Sequence, residues 1–153
     1  MTHALKVEVD QSGKFETSHQ TVLAYANGQP YAILISTRVK REVIGRLRGR
    51  GLSRSRAAIR VFAASVWLLL RDVIDDVSRV TIDAEYPGHE SQIKSDVLEI
   101  AKLKKRPIDP NVIEFGLIGK KSGAHQRAIG VYRGERRADR LITVGDLLDL
   151  LGK

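Results

Sequence analysis

Polar and apolar residues alternate along Leu5-Lys6-Val7-Glu8-Val9, the period of a strand with one buried face, and Asp10-Gln11-Ser12-Gly13 then reads as a turn. Thr21 to Ala26 and Tyr31 to Ser36 are further strands, joined at Asn27-Gly28, a dipeptide suited to a two-residue hairpin turn. Helical spacing follows: Val39, Val43, Ile44 and Leu47 share a face, and the stretch stops at Gly49 and Gly51. A second helix starts at Ser53 or Ser55, both good N-cap residues. It carries Ile59, Phe62, Ala63, Val66, Leu69, Leu70 and Val73 on one broad face and ends near Asp75, with Trp67 packed on its flank.

Arg79 to Glu85 reads as a fourth strand, halted by Pro87-Gly88, and Ser91 to Lys105 as a helix closed by Pro107 and Pro110. Val112 to Ile118 is a fifth strand, Gly119 to Gly123 a basic loop and Ala124 to Arg133 a short helix. Leu141-Ile142-Thr143 is extended, and Val144 to Leu151 is a last helix. Three hairpin-linked strands followed by strands alternating with helices predict an α/β fold. Its mixed five-stranded sheet is an antiparallel meander continued by parallel strands through right-handed crossovers, with helices on both faces. The 153 residues suit a single domain, 1–153.

Charge adds a partner to this picture. Lys and Arg total 26 against 18 Asp and Glu, a net charge of +8. Much of the excess falls between Arg38 and Arg60, with Arg46, Arg48, Arg50, Arg54 and Arg56 as candidate phosphate contacts; Lys120 and Lys121, just before the short helix, are candidates to neutralise a phosphate at its N-terminus. Arginine suits phosphate through its planar donor fork, so nucleic acid is the expected partner, although basic runs also serve as plain solvated surface. With no cysteine, disulfides, thiolate metal sites and cysteine nucleophiles are excluded. Met1 to Lys6 has no signal-peptide core, and the apolar run Val61 to Leu70 is too short for a bilayer, which takes roughly 20 residues; a cytoplasmic, non-membrane protein is expected. The same run offers a face to a second copy, hence a homodimer as one assembly.

The candidate chemistry lies in acids at two strand ends. Asp10 closes Val7-Glu8-Val9, and Asp83 and Glu85 close Val80-Thr81-Ile82. A carboxylate at the end of an apolar strand carries a desolvation penalty unless a cation meets it. Asp10 also has a plain role open to it, capping the turn at Ser12 and Gly13. One of Asp83 and Glu85 can equally be a solvated strand end. Gly116 to Ser122 lacks the spacing of a phosphate loop, and neither a Gly-x-Ser-x-Gly elbow nor a His-Glu-x-x-His pair is present.

The element order, the strand-one Asp10-Gln11-Ser12-Gly13 and the acid at Asp83 or Glu85 together resemble the ribonuclease H-like superfamily over nearly the whole chain. The Ala124-His125-Gln126-Arg127-Ala128 opening of the late helix is closer to the Holliday-junction resolvase branch than to ribonuclease H itself. That resemblance implies a ribonuclease H-like sheet and a centre built from Asp10, Asp83, Glu85 and His125. It also implies metal-dependent cleavage of phosphodiester bonds in structured DNA or RNA. Two features depart from it: Glu42 is the only first-helix candidate for the glutamate of ribonuclease H, and Ala128 stands where resolvases often place a second acid.

Cutting a phosphodiester calls for water activation and neutralised oxygens, which two divalent cations about 3.5–4 Å apart supply together. Carboxylates suit magnesium, and a histidine such as His125 suits a softer ion such as manganese or acts as a base near neutral pH. The competing expectation is a catalytically inactive module of the same fold that binds nucleic acid through its arginines.

Overall fold

The computed structural model describes residues 5–14, 19–27 and 29–152. Gly28 of the hairpin turn and Met1 to Ala4 of the N-terminal stretch lie outside them. The strands are β1 (Leu5–Ser12), β2 (Thr21–Ala26), β3 (Tyr31–Ile35), β4 (Val77–Asp83), β5 (Ile113–Gly116) and β6 (Arg140–Leu141). The helices are α1 (Thr37–Gly49), α2 (Arg54–Leu70), α3 (Glu90–Leu103), α4 (Gly123–Tyr132) and α5 (Val144–Leu151).

One mixed sheet runs β5-β4-β1-β2-β3-β6. Antiparallel pairing joins β1 to β2 and β2 to β3; β4 lies parallel to β1, β5 parallel to β4 and β6 parallel to β3. The α/β class and the meander continued by parallel strands therefore stand, with six strands rather than five. The sixth is Arg140 and Leu141 beside Ile33 and Leu34. It is too short to show a period and is held by backbone bonds, Asp139 N–H to Ala32 O at 2.8 Å and Ile142 N–H to Leu34 O at 2.9 Å. Asp139 also accepts the Ala32 N–H, and Asp146 caps α5 through Thr143, so neither acid is simply solvated.

Alternation divides the sheet between two cores. Val7, Val9, Leu23, Ile33, Ile35, Val80, Ile82 and Ile113 join the core that contains α2. Val22, Ala24 and Ala32 face the other way, onto Ala128 and Val131 of α4. With both faces covered, β2 is buried from Thr21 to Tyr25, as its unbroken apolar sequence requires. Helices α1, α3 and α5 pack around α2. Every residue from Val61 to Leu70 is buried, so the face expected to pair with a second copy is covered by the chain itself. Ser53 caps α2 by accepting the Arg56 N–H at 3.1 Å. No helix among the described residues is long and apolar enough to cross a membrane.

Several boundaries move. Strand β1 continues through Ser12, so Asp10 and Gln11 lie on the strand, paired with Ala24 and Leu23, and not in the expected turn. Strand β5 stops at Gly116, short of Ile118. Helix α2 ends at Leu70, not near Asp75, and a 3-10 turn over Ile74–Asp76 leads into β4. Strand β4 begins at Val77 and ends at Asp83, which leaves Glu85 beyond it.

Candidate metal centre

Strands β1 and β4 are parallel neighbours, with Val9 opposite Ile82. The next residue on each, Asp10 and Asp83, therefore emerges side by side at the strands' carboxyl ends. Glu85, expected within the strand, reaches them instead from beyond its end. Its N–H bonds back to the Asp83 carbonyl at 2.9 Å, and this tight turn folds its carboxylate onto the pair. The result is a cluster in which Asp10, Asp83 and Glu85 each present a ligand oxygen, all within 4.8 Å of one another.

Asp10 is 3% exposed. One of its oxygens accepts the Gln11 N–H at 2.8 Å, and the other meets His125 Nδ1 at 2.8 Å. Burial raises the Asp10 carboxyl above its ordinary value; the His125 and Gln11 bonds pull it down, and Asp83 pushes it up again. Glu85 is pushed from 4.5 to about 7, first by burial, then by its hydrogen bond and charge repulsion with Asp83, against the pull of Lys14. Asp83 accepts the Ile118 N–H at 2.9 Å, which ties the loop after β5 to the cluster. His125 sits in the first turn of α4, where Ser122 accepts the N–H groups of Ala124 and His125. It is joined to Asp10 but does not belong to the group of three gathered ligand oxygens.

The remaining expected residues divide by location. Arg46 is half-exposed and paired with Glu42, which also meets Arg38, so Glu42 stays on α1 away from the cluster. Arg48 and Arg54 are exposed. Arg50 donates to the Leu151 and Gly152 carbonyls at the end of α5. Arg56 grips both oxygens of Asp96 at 2.8 and 3.0 Å and locks α2 to α3. Arg50, though exposed, and the half-buried Arg56 are thus committed to partners of this chain, because a fork that suits phosphate suits a carbonyl pair or carboxylate equally well. Lys120 and Lys121 are exposed in the turn before α4.

Three contributors were absent from the sequence reading. Lys14 places a positive charge near Glu85. Gln11, on the other face of β1, bonds the Tyr86 hydroxyl at 3.3 Å, and Tyr86 packs on Phe62 of α2 with ring centroids 4.9 Å apart. Lys40, 3% exposed, donates to the Lys14 and His19 carbonyls at 2.9 and 2.7 Å. Only Lys40 left a signal, since it falls on the same face of α1 as Val43 and Leu47.

Two cavities, of about 390 Å³ beside Trp67 and Arg106 and about 520 Å³ beside Ile74 and Pro107, share no residue with the cluster. Their charged linings include the ion pairs Lys104–Asp149 and Arg106–Asp75. Comparison of the chain with protein-family models, with curated proteins and with solved structures finds no match in any of the three.

Proposed function

We propose that the protein is a cytoplasmic, metal-dependent nuclease of ribonuclease H-like build, cleaving phosphodiester bonds in structured DNA or RNA. The convergence of Asp10, Asp83 and Glu85 within 4.8 Å carries this reading. Like charges so close and so poorly solvated cannot all be ionised without a cation or a shared proton. An all-carboxylate donor set fits magnesium or manganese, and His125 adds a nitrogen suited to manganese. When bound, such an ion neutralises the phosphate oxygens and acidifies bound water.

The chain's own residues would prepare that chemistry. Asp10 is held by Gln11 and His125, so its carboxylate is oriented before a ligand arrives. Asp83 is held by Ile118, and the Glu85 turn folds back on Asp83. Support for the ribonuclease H-like build is the meander followed by β4 and β5, with the first-strand and fourth-strand acids on adjacent strands. The net charge of +8 supports a polyanionic substrate.

One observation favours the inactive, nucleic-acid-binding alternative: both Asp10 oxygens already have protein partners, and Ala128 is buried where a further acid would stand. Cleavage of labelled duplex and branched oligonucleotides separates the two. Activity that requires magnesium or manganese, stops with chelator and is lost in Asp10→Asn supports the nuclease. Cleavage that survives Asp10→Asn rejects it.

A further inference from the structure

We infer that the outward stripe of α1, formed by Arg38, Arg41, Gly45 and Arg48, seats the backbone of a nucleic-acid duplex. The inference rests on the nucleic-acid partner of the proposed function but not on its metal. Val39, Val43 and Leu47 fix the inner side of α1. Arg41, Gly45 and Arg48 follow at i, i+4 and i+7 on the outer side, which places the two arginines about 10 Å apart along the axis. Both are exposed and make no ion pair or side-chain hydrogen bond among the described residues. Glu42 is the only acid on the helix, and it is occupied by Arg46 at 3.1 Å and Arg38 at 3.9 Å.

Two features of this stripe disfavour the free protein. The first turn of α1 has no acid, while Arg38 and Arg41 add positive charge at the positive end of the helix dipole. Gly45 lies inside the helix, where glycine is destabilising relative to alanine, yet a Cβ added there would meet nothing within 4 Å. Gly49, one turn on, is equally open. An approaching phosphate backbone accounts for both features, since it neutralises the arginines and comes closest where side chains are missing. No aromatic residue occurs between Thr37 and Gly49, so the stripe offers no stacking platform for single-stranded bases. Lys40 bonds the connection that follows the strand of Asp10. The amino-terminal end of the stripe therefore lies at the end of the sheet that holds the acids.

The test is fluorescence anisotropy with a labelled blunt DNA duplex across a salt series, in chelator so that nothing is cleaved. Each lost phosphate contact reduces the log–log salt slope by about 0.9, so R41Q/R48Q is expected to lower it by about 2. The control K102Q/K105Q, which removes the same charge from exposed positions at the end of α3, is expected to keep the wild-type slope. Gly45→Ala is expected to melt higher and bind severalfold more weakly. An unchanged slope in R41Q/R48Q overturns the surface, as does an equal loss in the lysine control. Equal affinity for a single strand of the same length, or for anionic vesicles, overturns the duplex as its occupant. Wild-type affinity in Gly45→Ala overturns the close approach. A chain that binds duplex in this way but never cleaves it refutes the nuclease alone.

Discussion

Replacing Glu85 by glutamine tests the crowding of the three carboxylates without any cation. Burial and Asp83 raise the Glu85 carboxyl from 4.5 to about 7. Between those values the folded chain keeps a proton that the unfolded chain has lost, so folding loses stability as pH rises through this window. At about 1.4 kcal/mol per pH unit the rise corresponds to roughly 3 kcal/mol. Glu85 is only partly buried, and solvent screening brings the expected effect to about 1–2 kcal/mol. Urea denaturation in chelator is the assay. Near pH 5 the wild type and Glu85→Gln should differ by less than about 0.5 kcal/mol, and near pH 8 the variant should be more stable by about 1–2 kcal/mol. Millimolar magnesium should then stabilise the wild type more than the variant, because a ligand that binds only the folded state adds its binding free energy. A variant no more stable than wild type near pH 8 refutes the claim that these carboxylates repel one another.

Two further substitutions probe the frame around the site. Arg56→Met strands Asp96, which is 7% exposed, and leaves it only Gln92 as a side-chain donor among the described residues; a loss of about 2–3 kcal/mol in denaturation is expected, with much of it recovered in Arg56→Met/Asp96→Leu. Gly13 has φ +81, and an added Cβ would collide with the Gln20 carbonyl and the Tyr132 ring, so Gly13→Ala should destabilise by more than about 2 kcal/mol in the same assay.

Legibility from sequence followed the range of the forces involved. The Ser53 cap, the apolar run of β2 and the amphipathic α5 are local, and each left a readable period or cap. Strand β6 left none, because backbone bonds to Ala32 and Leu34 define it rather than side-chain alternation. Asp10 and Asp83 stood out as acids ending apolar strands, but their adjacency depends on the β1–β4 pairing, a contact between distant segments. Glu85 joins the two aspartates through the turn after β4, a feature that the expected strand through Glu85 did not contain. The partners of Arg50 and Arg56 were hidden for the same cause, since Leu151 and Asp96 are remote in the chain.

The distribution of arginines sharpens the case for a cation. The chain has eight more basic than acidic residues, so a carboxylate needing only neutralisation has many side chains to draw on. Several acids elsewhere do so: Asp96 takes Arg56, Asp75 takes Arg106, Glu114 takes Arg79, Asp139 takes Arg127 and Asp146 takes Arg140. Among the described residues no arginine pairs with Asp10, Asp83 or Glu85; their neighbours are His125 and the charge of Lys14. An arginine fork at this spot would fill the carboxylate oxygens that a divalent ion needs. Among the described residues this is the one cluster of three acids, and it lacks the arginine that would relieve the repulsion within it. A bound cation would supply the charge that no arginine brings to this cluster, through the lone pairs that Gln11, His125 and Ile118 leave free.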